Sequence, residues 1–440
     1  MNTQTGKVET SIAQTIENGP NTNASAPVYI SEYNPHTGGD WNSAYNTSTI
    51  DDASEATDLG HQILYQLTGS NRPDRHYVFK FSQDSSTQPS GVVKGGLLNG
   101  ENDAAPYDIG DSTRGGEVFT MLARKMAGSK KSYGWTGKGR TNTLQAVGAT
   151  DDANNYYLYV TNGLTTDAFL TVDLHSWTVA AGNPVIINVV GPEHMYEVGA
   201  VPTVDANKNF TYQQAQNSVI QVVVPKTASQ VLNTSYPPSN DATIRAGTNS
   251  GSNYGSLDTI SAGFDTGTVS ADNTYAIFMS FSGVSTTNMH AAILTLTVRS
   301  AGSNSRNVFT VLGMNSGSWT QGAITWSNAP NIKALSTPVT AIHQNIIDWT
   351  TNPPDIAGHI TVPASAGAGY TVNVDVTDYV RGIGASPGFI IHRPFRRNAA
   401  GDISSPAQTY ADVITNSLVS FESLESATVT SRPKLTVYYH

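Results

Sequence analysis

The sequence predicts a mainly β, multidomain chain: a partial (β/α) barrel segment followed by two antiparallel β-sandwiches. Three observations support this. Amphipathic helices alternate with short apolar strands only as far as Gly128. From Ser129 onward the chain consists of short β runs between turn residues. A stretch rich in Ser, Thr, Asn and Pro, residues 227–240, reads as a linker between two such β regions. The expected domains are therefore 1–128, the C-terminal segment of a (β/α)8 barrel; 129–226, an accessory sandwich; and 241–440, a second sandwich.

Val8, Ile12 and Ile16 recur at four-residue spacing, predicting a helix that N-G-P-N-T-N ends. The run P-V-Y-I-S-E-Y-N over residues 27–34 follows. Its Val28, Tyr29 and Ile30 suit a parallel strand buried on both faces, and the chain turns polar directly after Glu32. In a (β/α)8 barrel, catalytic groups sit at such strand ends. A second helix is predicted over 54–67, with Leu59, Ile63, Leu64 and Leu67 on one face and Gly69 as its stop. H-Y-V-F-K-F-S over 76–82 resembles another buried strand, followed by a long polar loop. Val118, Phe119, Leu122 and Met126 mark a third helix capped by Gly128. This alternation is about a quarter of an eight-stranded barrel, and alone it leaves open sheet edges.

In the accessory sandwich the strands are Y-Y-L-Y-V, A-F-L-T-V-D-L, P-V-I-I-N-V-V, M-Y-E-V and V-I-Q-V-V-V. In the second sandwich the clearest are Y-A-I-F-M-S-F, A-A-I-L-T-L-T-V and K-L-T-V-Y-Y. Ile324, Thr325 and Trp326 also read as strand, which places Trp326 in the core.

A hydrophobic fraction of 38% over 440 residues can build several cores, and only 13% of residues are charged. The surface must therefore be largely neutral polar, as in secreted β-proteins. With 24 basic against 34 acidic residues and a net charge of -10, nucleic-acid binding is not expected. The sequence holds no cysteine, so disulfides and thiolate metal sites are excluded. No run reaches the length of a membrane span, and the first ten residues lack the pattern of a signal peptide.

The segments I-S-E-Y-N, Y-V-F-K-F-S and R-G-G-E-V-F-T-M-L-A-R-K resemble the end of the catalytic barrel of glycoside hydrolase family 86, the agarases and porphyranases. That resemblance extends into the first sandwich. It implies that Glu32 matches the nucleophile at the end of the seventh barrel strand and that the acid/base lies after a fourth strand this sequence does not contain. Retaining hydrolysis needs two carboxyl groups about 5–5.5 Å apart, so one carboxylate is half a mechanism. Asp84, Glu101 and Asp103 lie in a loop that could cross the site, but no spacing marks one of them as the partner.

The third region resembles the DNRLRE-type β-sandwich modules of polysaccharide-degrading and cell-surface proteins. The matching segments are D-A-T-I-R-A-G-T-N-S-G-S-N-Y-G-S, W-T-Q-G-A-I-T-W-S-N-A-P, D-V-T-D-Y-V and S-R-P-K-L-T-V-Y-Y. The resemblance implies polysaccharide binding, since those members that act as binding modules recognise polysaccharides, acidic ones in particular.

Several residues are candidates for substrate contact. Tyr33 and Asn34 follow Glu32, which Tyr33 could hydrogen-bond, and His36 and Lys80 fall near the C-terminal ends of the expected barrel strands, where each either meets substrate or is a solvated loop residue. Trp41 is either a sugar platform or a loop anchor, and Trp319, in a turn, is a further platform candidate. Arg245 and Tyr254 flank a Gly-rich loop. His392, Arg393, Arg396 and Arg397 form a basic island in an acidic chain. That island either grips carboxylates or sulfate esters through paired hydrogen bonds or is a solvated loop paired with acids such as Asp402. Asp375 and Asp378 either hold a structural Ca2+ or cap a turn. His194 is read as structural.

These readings converge on the C-terminal portion of a secreted, bacterial polysaccharide-degrading enzyme, a retaining glycoside hydrolase acting on algal galactan, with a polysaccharide-binding module. The expected partners are an anionic or galactan-type polysaccharide and an N-terminal barrel portion encoded upstream. Catalysis needs no cofactor, and the chain by itself is expected to be inactive. The alternative is a noncatalytic surface or adhesion protein whose sandwiches bind glycans or pack structurally.

Overall fold

The computed structural model describes residues 29–33, 53–68, 75–78, 114–126, 133–134, 147–265, 274–302, 306–315, 318–332, 347, 353–363, 365–393 and 417–440. The chain divides into two compact units, with the break between Gln230 and Val231. Both are dominated by strands, as a mainly β chain of several domains requires. The helix predicted over residues 8–18 lies outside the described residues.

In the first unit β1 (Tyr29–Tyr33) pairs in parallel with β2 (Arg75–Val78), Tyr29 facing Arg75 and Ile30 facing His76. The second and third predicted helices are present as α1 (Ala53–Thr68) and α2 (Arg114–Met126). Their apolar positions Leu59, Ile63, Leu64, Val118 and Leu122 are all buried. The sheet contains β3 (Tyr133–Gly134), β4 (Val147–Asp151), β5 (Asn155–Asn162), β7 (Ile186–Gly191), β8 (His194–Ala200) and β10 (Ser218–Pro225). Its spatial order is β3-β4-β5-β10-β7-β8, and every pairing is antiparallel. Among the described residues, the remaining strands of this unit, β6 (Ala168–Asp173) and β9 (Asn209–Gln214), pair with each other.

The run V-I-Q-V-V-V in β10 is apolar almost throughout because both of its faces are covered; every residue of the strand is buried. Ile220, Val222 and Val224 join Val160, Ile187 and Phe210 in one core. On the opposite face a γ-methyl of Val219 lies beside Gly60 of α1. Next to it Gln221 Nε2 donates to the Met121 carbonyl of α2 at 3.4 Å and to Tyr159 Oη at 3.0 Å. The helices thus form the second cover of the sheet. Alternation fails here for the same reason it fails in parallel sheets, namely burial on both sides.

The second unit is a two-layered sandwich. One layer holds β11 (Leu232–Tyr236), β15 (Met289–Ala301), β18 (Thr371–Asp375), β20 (Val419–Glu422) and β21 (Lys434–Tyr439). The other holds β12 (Asn240–Arg245), β14 (Thr274–Ser280), β16 (Arg306–Gly313), β17 (Asp355–Pro363) and β19 (Gly388–His392). β13 (Thr259–Phe264) pairs with both β14 and β20 and carries the sheet from one layer to the other. Between the layers, Ile277, Phe309 and Ile391 pack against Leu294, Phe421 and Leu435. Within the stretch read as a linker, Leu232–Tyr236 forms β11, paired along its length with β21.

The outer face of the second layer is also apolar, and Ile324, Trp326 and Ala329 cover Ala242, Phe278 and Ile390 there. This changes the reading of Ile324, Thr325 and Trp326. Trp326 is in the core, 2% exposed, but the segment is not a strand: Trp326–Asn328 is a 3-10 turn. Asn328 Oδ1 accepts from Thr325 N at 2.7 Å and closes the turn, so a local side-chain hydrogen bond outweighs the β propensity of Ile-Thr-Trp. D-V-T-D-Y-V contributes the short helix α3 (Thr377–Ile383).

Candidate functional site

The motif residues of the second unit separate into those used to build the fold and those left at the surface. Asn253 Nδ2 donates to the carbonyls of Gln321 at 2.8 Å and Ile324 at 2.7 Å. A Cβ at Gly255 would run into the Gln321 carbonyl, so the N-Y-G tripeptide can lie against the W-T-Q-G segment only with glycine there. Gln321 in turn donates through Nε2 to the Gly255 carbonyl at 2.5 Å and to Glu425. In D-V-T-D-Y-V, Asp375 Oδ1 accepts from Thr377 N at 3.1 Å. Tyr379 Oη donates to the buried carbonyls of Met314 and Gly388, at 2.9 and 2.8 Å. These residues hold loops and chain crossings in place.

Arg245 and Tyr254 lie at a partly exposed part of this region. Arg245 ends β12 and is the direct cross-strand neighbour of Tyr275 on β14. Its guanidinium carbon lies 5.1 Å from the Tyr275 ring centroid, within cation–π range. On the other side of Tyr275 the strand partner is Gly263, which contributes no side chain of its own. Gly263 holds φ at +106°, and a Cβ at that position would collide with the Ser417 carbonyl. The Tyr275 hydroxyl reaches Asp265 Oδ2 at 3.5 Å, and Tyr254 is close enough to act electrostatically on it. Burial raises the Tyr275 pKa, so the phenol stays protonated at neutral pH and can donate. Arg245, Tyr254 and Tyr275 are all partly exposed. Together with Asp265 they form a surface with an aromatic ring, a fixed positive charge, a carboxylate and two phenols. Such a set can stack on a sugar ring while hydrogen-bonding its hydroxyls or an acidic substituent.

The other candidate residues are placed as follows. Glu32 and Tyr33 are the last two residues of β1. Asn34, His36, Trp41, Lys80, Arg396 and Arg397 lie outside the described residues, as do Asp84, Glu101, Asp103 and Asp402. Trp319 packs edge-on against Phe278, with centroids 5.9 Å apart, and closes the outer core. His392 and Arg393 are buried, Arg393 to 2% exposure, so neither presents its side chain to solvent. Burial lowers the His392 pKa to about 4. Asp378 is exposed, 3.4 Å from Arg381 Nη1. Among the described residues no cluster of three His, Asp or Glu could hold a metal ion. His194 Nδ1 lies 3.5 Å from Glu197 Oε2. Tyr275 was missed by sequence reasoning, since only a strand pairing thirty residues apart in sequence reveals it.

The sequence comparison bears on this region. Residues 233–345 match carbohydrate-binding module family 96. The matched stretch is about a quarter of the chain and contains Arg245, Tyr254, Tyr275 and Trp319. No curated protein matches the sequence. Among solved structures, a β-porphyranase of glycoside hydrolase family 86 from the human gut bacterium Bacteroides plebeius shares 11% identity, with 99% of this chain and 60% of that one covered, at a TM-score of 0.33. An endoxylanase of glycoside hydrolase family 30 from Clostridium papyrosolvens shares 16% identity over 46% of this chain and 42% of that one, at 0.32. An arabinose-bound α-L-arabinofuranosidase of family 51 shares 15% identity over 50% and 36%, at 0.35. The chain spans less than two thirds of each of these proteins. At such TM-scores the likenesses carry no weight for what this chain does.

Proposed function

We propose that the second unit is a polysaccharide-binding module and that it binds through the surface formed by Arg245, Tyr254, Tyr275 and Asp265. The observation that carries this reading is the coincidence of two independent facts: the match of residues 233–345 to a carbohydrate-binding module family and the Arg245–Tyr275 pair inside that stretch. A guanidinium beside an aromatic ring suits an acidic sugar or sulfate ester in an otherwise acidic chain. The ligand class is an anionic or galactan-type algal polysaccharide.

In the same reading the chain is the C-terminal portion of a secreted, bacterial polysaccharide-degrading enzyme of the agarase/porphyranase kind, with Glu32 at the nucleophile position. The parallel pairing of β1 with β2 and the place of Glu32 one residue before the end of β1 support this. A second carboxyl group, the acid/base, would come from a barrel portion encoded upstream. The chain alone therefore binds polysaccharide and does not cleave it. Affinity electrophoresis in gels of agarose, porphyran, alginate and a neutral glucan tests the binding claim. Retardation by an anionic or galactan polymer, and none by the glucan, is the expected result. Equal mobility in all four gels would reject it.

A further inference from the structure

Asp241, at the start of β12, is 1% exposed. Its Oδ2 accepts from the Leu424 amide at 2.7 Å, while its Oδ1 is buried with no hydrogen-bond partner among the described residues. Glu425, one residue further along that C-terminal segment, repeats the arrangement. Its Oε1 accepts from Gln321 Nε2, and its Oε2 is buried with no partner among the described residues. The two carboxyl groups stand within hydrogen-bonding reach of each other. Two ionised carboxylates in such contact, each with an unsatisfied buried oxygen, would be strongly unfavourable.

The groups around the pair identify the missing positive species. The contacts made to it are N–H donors, from Leu424 and Gln321, and the charge acting on it from the same segment is Arg432, whose Nε donates to the Ser426 carbonyl at 2.8 Å. A hard cation such as Ca2+ needs six to eight oxygen ligands, and among the described residues no group of three His, Asp or Glu could hold a metal ion. Glu422, paired with Arg299 at 3.0 Å, and Asp258, which acts on Arg299, flank the same segment.

We propose that Asp241 and Glu425 share one proton, and that this proton latches the C-terminal segment 423–432 and the Gln321 loop onto the start of β12. Deprotonation leaves two facing carboxylates and opens the latch. Burial, with Glu425 adding to it, raises the Asp241 pKa from 3.8 to about 7, consistent with a proton retained at neutral pH. Because the folded state holds the proton more tightly than the unfolded chain, the stabilisation is greatest in acid. It is lost as pH rises from about 4 through about 7. Gln321 also bonds the Gly255 carbonyl, so the latch holds the loop bearing Tyr254. It does so whether or not the unit binds a glycan.

Thermal unfolding of the full chain between about pH 5 and about pH 8 tests this through differences between wild type and Asp241→Asn. The asparagine amide can donate permanently where the proton does, so the variant mimics the latched state. Its transition should approach wild type in acid and lie several degrees higher at about pH 8. Glu425→Gln makes the same substitution from the other side and should behave alike, which keeps the test intact if one variant folds poorly. Parallel pH curves for wild type and both variants would overturn the proposal. So would a wild-type gain in midpoint with millimolar Ca2+ at about pH 8 that Asp241→Asn abolishes, since the pair would then hold a metal.

Discussion

Arg245 and Tyr275 are direct cross-strand neighbours, and the guanidinium carbon of one lies 5.1 Å from the ring centroid of the other. The pair is assembled by β12 and β14 and stands at the end of both partnered stretches. Removing either member leaves the strands intact but takes away the charge or the platform. Arg245→Ala and Tyr275→Ala should each weaken polysaccharide binding by about 1 kcal/mol or more, roughly five- to tenfold, with little change in unfolding temperature. Gel retardation and thermal melts of the same preparations check both halves.

Gly255 lies directly under the Gln321 carbonyl. Gly255→Ala forces that contact apart and with it the bonds from Gln321 to the neighbouring segments, so a cost of about 1–3 kcal/mol is expected. Urea unfolding measures it as a drop in midpoint with an unchanged slope.

Tyr379 Oη shares its one proton between the buried carbonyls of Met314 and Gly388 and accepts from the Gly388 amide at 3.2 Å, and burial pushes its pKa up to about 12. Tyr379→Phe leaves all three groups without that partner. A loss of about 1–3 kcal/mol is expected, and replacing this motif residue should not alter binding where the module remains folded.

His392 is fully enclosed and its pKa is lowered to about 4 by burial, against 6.5 when free. The unfolded chain therefore binds a proton that the folded one refuses. The resulting stability is present above pH 6.5 and is lost as pH falls through about 4, up to roughly 3 kcal/mol. His392→Gln should flatten the acid limb of the stability profile. This titration runs opposite to that of Asp241, so comparison of variants separates the two.

Much of the architecture was legible in sequence. The helices over 53–68 and 114–126 follow from apolar periodicity, and strong strands such as β10 and β14 from nearly continuous apolar runs, because these strands are buried along almost their whole length. The binding surface was legible only in part. Arg245 and Tyr254 stand out beside a Gly-rich loop, but Tyr275 reads as one more strand residue until β12 is laid beside β14. In the basic run at 392–397, His392 and Arg393 are interior, because charge along the sequence says nothing of depth, while Arg396 and Arg397 lie outside the described residues. Trp326 was placed correctly in the core through an incorrect strand, since the Asn328 side chain, not propensity, sets the local turn.

The role of α1 and α2 was also hidden, because a helix pattern does not name the sheet it covers. A chain beginning at Ser129 exposes Val219, Gln221 and Tyr159, so the isolated sandwich 129–226 should be molten or insoluble, while a chain including α1 and α2 should give a cooperative transition.

The central claim is that the second unit binds an anionic or galactan polysaccharide through Arg245 and Tyr275. Calorimetric titration of porphyran and agarose oligosaccharides into the full chain and into an Arg245→Ala, Tyr275→Ala double variant tests it most directly. Saturable binding by the wild type, lost in a double variant that melts at the wild-type temperature, is the predicted result. Equal affinity in the two proteins, or no heat with any of these glycans, would contradict it.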